Sequence, residues 1–149
     1  MNIRLSKYQV EETRAKKITK EGEQALRNNY LQVALRKFEE AAALANASET
    51  RTQIAHNLVE TRTKIARRLL EKALFIETSG GNPEEASQLL LDAKQNLEKS
   101  AELDNSKQTR QKLQFVTLKI EGNLAFNKAL ELEEEALSSL ETALESNET

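Results

Sequence analysis

The sequence predicts an all-α fold, an antiparallel helical array of five to six helices built from short hairpins, in one domain over residues 1–149. Three observations predict it. Ala, Leu, Glu, Lys, Gln and Arg dominate, and these side chains lose least on entering a helix. Only 4 Gly and 1 Pro interrupt 149 residues. Apolar residues recur at steps of three and four, and no stretch alternates apolar and polar at period two over strand length. The length is ordinary for one domain with its own core.

The first predicted helix covers residues 3–28. Ile18, Gly22, Ala25 and Leu26 supply its buried stripe, with Glu12–Lys16 and Glu23–Arg27 as i,i+4 pairs on its outer face. The turn Asn28-Asn29-Tyr30 leads to a second helix over 31–46. Its broad stripe is Leu31, Ala34, Leu35, Phe38, Ala41, Ala42 and Ala45. Asn46-Ala47-Ser48 ends it, with Ser48 or Asn46 as the next cap and Glu49 in the first turn that follows. A third helix over 49–78 carries Ile54, Leu58, Ile65, Leu69, Ala73 and Ile76, and measures about 45 Å.

Thr78-Ser79-Gly80-Gly81-Asn82-Pro83 is the clearest break. The glycines accept positive φ, Asn82 suits an N-cap, Pro83 suits the first helical position, and Glu85 stands at capping-box spacing. The fourth helix, 84–103, has Ala86, Leu90, Ala93, Leu97 and Ala101 on one face. After Asp104-Asn105-Ser106 a fifth helix runs over 107–146. It carries Leu113, Val116, Ile120, Leu124, Leu130, Leu137, Leu140 and Leu144, and a hidden turn near Glu131 to Glu135 is the route to a sixth helix.

Charge is uneven along the chain. Residues 1–75 hold 15 Lys/Arg against 9 Asp/Glu, and residues 76–149 hold 7 against 15. The overall charge of -2 gives no global pull toward nucleic acid or membrane. The absence of Cys removes disulfides, thiol chemistry and cysteine zinc sites. No apolar run reaches the ~20 residues that span a bilayer, and the first residues have no signal-like apolar region. The chain reads as soluble and cytoplasmic, without a membrane partner.

No residue set carries catalysis. His56 has Glu60 at i+4, with Thr52 and Asn57 near it, which makes a poor site for a base or a metal. Glu131, Glu133, Glu134 and Glu135 point around a helix axis rather than converging on a cation. No phosphate loop or nucleophile elbow appears. The expectation is therefore no enzyme, no cofactor and no metal. Arg62, Lys64, Arg67, Arg68 and Lys72 form a candidate basic face on the third helix. Tyr8, Tyr30, Phe38, Phe75, Phe115 and Phe126 fall mostly at stripe positions and are assigned to the core. Phe115, Leu118 and Phe126 lie partly off the main stripe of the last helix, a candidate second apolar face.

The spacing Gly22, Ala34, Phe38, Ala41 resembles a tetratricopeptide repeat (TPR). A small residue in the first helix is followed, twelve positions on, by an alanine in the second, then by a large aromatic and another small residue. Ala25 stands where that family places an aromatic, and the closing proline is missing. Ala86, Leu90 and Ala93 repeat the second-helix spacing, and Ala136, Leu140 and Ala143 give a third trace. Residues 15–78 also look like a MIT domain, a three-helix bundle.

The TPR resemblance implies that a partner binds the concave face of the first helices, at exposed positions Lys16, Thr19, Glu23, Leu26 and Arg27. The expected function is a non-enzymatic protein–protein interaction module, an adaptor or scaffold subunit that takes another protein or peptide. One alternative is a nucleic-acid-associated helical subunit using the basic face of the third helix. Another is a self-associating helical structural protein, a homo-oligomer whose basic and acidic halves pair between copies.

Overall fold

The computed structural model describes residues 6–104 and 106–147, with the backbone alone at Gln108, Thr109, Lys112, Phe115, Val116 and Lys119. Five helices follow in order: α1 (Lys7–Arg27), α2 (Leu31–Leu44), α3 (Ser48–Thr78), α4 (Pro83–Leu103) and α5 (Lys107–Asn147). The described residues contain no strand, as predicted. Each helix packs on the next, and α3 also meets α1. The result is an all-α array.

The two hairpins close by the same turn chemistry. After α1, the Asn29 N–H donates to the Leu26 carbonyl at 3.0 Å and the Tyr30 N–H to the Ala25 carbonyl at 2.9 Å. Asn29 sits at φ 66. After α3, Gly80 sits at φ 73 and the Gly81 N–H donates to the Ile76 carbonyl at 2.8 Å. Asn and Gly enter this left-handed region at least cost, so each stops its helix and satisfies the terminal carbonyls.

Asn82 caps α4 through its side-chain oxygen, which accepts from the Glu84 N–H at 2.9 Å, with Pro83 in the first helical position. Glu85 does not complete a capping box there. The box forms instead at the start of α1, where Ser6 and Gln9 satisfy each other's backbone N–H groups at 2.9 and 3.2 Å. Ser6 is extended and caps α1, which starts at Lys7. Residues 1–5 lie outside the described residues.

Two apolar clusters fill the array. Ile18, Ala25, Leu26, Ala34, Phe38, Ala41, Ile54, Leu58 and Ile65 make the first, between α1, α2 and the early part of α3. Ala66, Ala73, Ala86, Leu90, Ala93, Leu97, Leu113 and Ile120 make the second, between late α3, α4 and early α5. Leu69 packs against both.

The aromatics largely depart from expectation. Phe38 is fully buried, but Tyr8, Tyr30, Phe75 and Phe126 are each more than half exposed. Phe75 follows buried Ala73 by two residues, which turns it about 200° around the helix and away from α4. The side chain of Phe115 lies outside the described residues.

The last helix also differs from its predicted stripe. Leu113 and Ile120 are buried, whereas Leu130, Leu137, Leu140 and Leu144 are exposed. Leu130 lies six residues beyond Leu124, about 240° further around, so the two sets face different ways. The side chain of Val116 is not described. No turn breaks α5 at Glu131 to Glu135, so five helices form where a sixth was allowed for.

Candidate functional site

A furrow crosses α1 and α3 and reaches the start of α5. Its first part is bordered by Lys16, Thr19, Lys20 and Glu23 of α1 and by Glu49, Thr50 and Gln53 of α3. The middle is bordered by Glu23, Leu26, Arg27, Asn57, Glu60 and Lys64. The far part adds His56, Val59, Thr63, Arg67, Asp104 and Leu113 to Glu60 and Lys64. Neighbouring parts share wall residues: Glu23 borders the first and second, and Glu60 and Lys64 stand on the ridge of α3 between the second and third.

All five residues expected to meet a partner border this furrow, but two are buried. Thr19 is buried, and its hydroxyl donates to the Ala15 carbonyl at 2.7 Å. Leu26 belongs to the first apolar cluster. The two lie seven residues apart, on the side of α1 turned toward the core. Lys16 and Arg27 are exposed and Glu23 is half-buried.

Local pairing sets the charge of the furrow. Lys64 Nζ lies 3.3 Å from Glu60. The Gln53 side-chain amide donates to Glu23 at 3.3 Å. Arg27 donates to Gln24 at 2.7 Å, rather than to Glu23 as its spacing suggested. Both signs occur along the walls, which suits a ligand of mixed charge.

Glu12 has a role that its spacing concealed. Read as an outer-face partner of Lys16, it is instead buried. Its Oε2 accepts the backbone N–H groups of Asn46 and Ala47 at 2.7 and 3.1 Å. Thr50 and these two N–H groups hold its carboxyl down at about 2, against the opposing effect of burial, with a smaller pull from Lys16. Neither Ser48 nor Asn46 caps α3 through its side chain. The N-cap is Ala47, which has no polar side chain, so the carboxylate from α1 supplies the negative charge at the helix start. The available signal was position: Glu12 stands three residues before buried Ala15, on the inward side of α1.

The basic face divides. Arg62 donates to Glu39 of α2 at 2.7 Å and to Asn96 of α4 at 3.1 Å, so it ties three helices together and is not part of a free row. Lys64 and Arg67 border the furrow. Arg68 stands one turn beyond Lys64 on nearly the same face, but it donates to the Asn29 carbonyl at 3.4 Å and lines a separate cleft with Tyr30, Val33 and Leu69. Lys72 is exposed. The predicted continuity failed because residues 62 to 72 sweep around most of the helix circumference.

His56 is exposed on the furrow wall beside Glu60. Among the described residues no three His, Cys, Asp or Glu side chains are grouped to hold a metal ion. Among the same residues no helix is long and apolar enough to cross a membrane. No family model matches the chain, and no curated protein or solved structure matches it.

Proposed function

We propose that the chain is a non-enzymatic protein–protein interaction module of TPR-like hairpins, a cytoplasmic adaptor or scaffold subunit. Its furrow across α1 and α3 takes an extended peptide or a neighbouring helix. The observation that carries this reading is the row of three adjoining depressions along α1 and α3. Lys16, Glu23, Arg27, Lys64 and Arg67 border three neighbouring depressions along the first helices of the two hairpins. That is the face on which the family resemblance puts a partner. The mixed charge of its walls favours a ligand that presents both signs.

The test uses peptides selected from a display library on the full chain. Lys16→Glu with Arg27→Glu, and separately Lys64→Glu with Arg67→Glu, lower their affinity about tenfold or more. Arg36→Glu with Lys99→Glu, exposed residues of α2 and α4 that do not border the furrow, leaves it unchanged. Equal affinity for all three double variants would remove the furrow as the binding face.

A further inference from the structure

Each closed hairpin carries one pattern. A small residue stands five positions before the end of the first helix, Gly22 in α1 and Ala73 in α3. The second helix then presents an alanine at its fourth residue, with a large residue and another alanine at steps of four and three. These are Ala34-Phe38-Ala41 in α2 and Ala86-Leu90-Ala93 in α4, and all six are completely buried. A related set occurs within α5, where Gly122 is followed fourteen positions on, against twelve and thirteen in the hairpins, by Ala136-Leu140-Ala143.

The third set is not closed. No atom outside the helix backbone lies within 4 Å of the point where a side chain at Gly122 would begin, and Leu140 is 57% exposed. The cause is local. The residues that would have to turn, Lys128-Ala129-Leu130-Glu131-Leu132, are strong helix formers with no Asn, Gly or Pro among them. The helix therefore runs on. Gly122 and Leu140 end up eighteen residues apart, about 27 Å along one axis.

We infer that a second copy of this chain covers that face. Two α5 helices pair antiparallel about a twofold axis at Glu131, and each supplies the hairpin partner that the other does not fold back to provide. The pairing is self-complementary, as a twofold interface requires. Gly122 meets Leu140, Phe126 meets Ala136, and Leu118 meets Leu144, so a large side chain faces a small one in the two inner pairs. These six residues fall within about 40° of one line along α5 at 100° per residue. That line is opposite the one that buries Leu113 and Ile120 against α4. Leu118, Phe126 and Leu144 are each more than half exposed in the single chain. Glu133, beside the axis, is the one charged residue on the line. The pairing rests on α5 and is independent of the furrow.

The chain has no cysteine, so paired cysteines report the contact without background. The full chain is followed by sedimentation velocity, and Leu118→Cys with Leu144→Cys is oxidised and resolved without reductant. A concentration-dependent dimer and disulfide-linked pairs of chains are expected. Leu140→Glu raises the dimer dissociation constant about a hundredfold by placing a carboxylate in the dry contact. It keeps the helical content, because position 140 is exposed in the single chain. Glu133→Leu lowers the dissociation constant. A monomer up to about 1 mM, a dimer indifferent to Leu140→Glu, or a disulfide closed within one chain overturns the pairing. The last outcome shows the third hairpin folded on itself.

Discussion

Gly22 and Phe38 touch so closely that a methyl group at position 22 would lie 2.6 Å from Cε1 of the Phe38 ring. Phe38 is fully buried. Gly22→Ala therefore destabilises the chain by about 1–3 kcal/mol through overpacking, exceeding the ~1 kcal/mol that alanine gains over glycine in a helix. Adding Phe38→Leu restores part of the loss, because the two sites share one contact. Urea unfolding of the single and double variants measures both effects, and additive losses would show that the contact is not the cause.

Asn29 holds its helix end at φ 66, which a side chain with a Cβ enters at a cost. Asn29→Gly leaves stability within about 0.5 kcal/mol, and Asn29→Ala lowers it by about 1 kcal/mol. Thermal unfolding ranks the three, and equal midpoints for Gly and Ala would remove the backbone explanation.

The Glu12 carboxylate gives stability with a definite pH window. Its pKa falls from the ordinary 4.5 to about 2 in the folded chain. The folded state thus favours the charged form, and the contribution is complete above 4.5 and is lost as pH falls from there toward 2. Glu12→Gln unfolds more easily than the parent at pH 7, and the difference closes as pH falls through that window. Denaturant titrations at several pH values measure it, and a gap that stays constant would mean that the charge is not involved.

Ser100 is fully buried, and its hydroxyl has no hydrogen-bond partner. Removing an unsatisfied buried polar atom relieves its desolvation cost. Ser100→Ala raises stability by about 0.5–1 kcal/mol, read from the urea midpoint. A loss of stability would show that the hydroxyl is satisfied in solution.

What the sequence revealed followed local chemistry. The Asn28-Asn29-Tyr30 and Gly80-Gly81-Asn82-Pro83 turns were legible because turn-forming residues act within a few positions. Gly22, Ala34, Phe38 and Ala41 were legible because hairpin packing leaves a fixed small-large spacing. Glu12 was not, since the N–H groups it accepts lie 34 and 35 residues away. Arg62 was misread for the same reason: its partners sit on α2 and α4. For the furrow, position on α1 was legible, but exposure was not, because a spacing pattern does not show how much of Thr19 or Leu26 a neighbouring helix covers.

One consequence concerns the order in which the chain opens. α3 contributes Ile54, Leu58 and Ile65 to one cluster and Ala66 and Ala73 to the other, with Leu69 touching both. Its middle turns are held from two sides, while the end of α5 is held by neither cluster. Amide hydrogens around residues 65–69 exchange with solvent only after both hairpins have let go, whereas those beyond residue 128 exchange by fraying in the single chain and slow only as two chains pair through α5. The helix shared by both clusters is thus the slowest part to exchange, and loss of either cluster's other helices leaves half of α3 unclad.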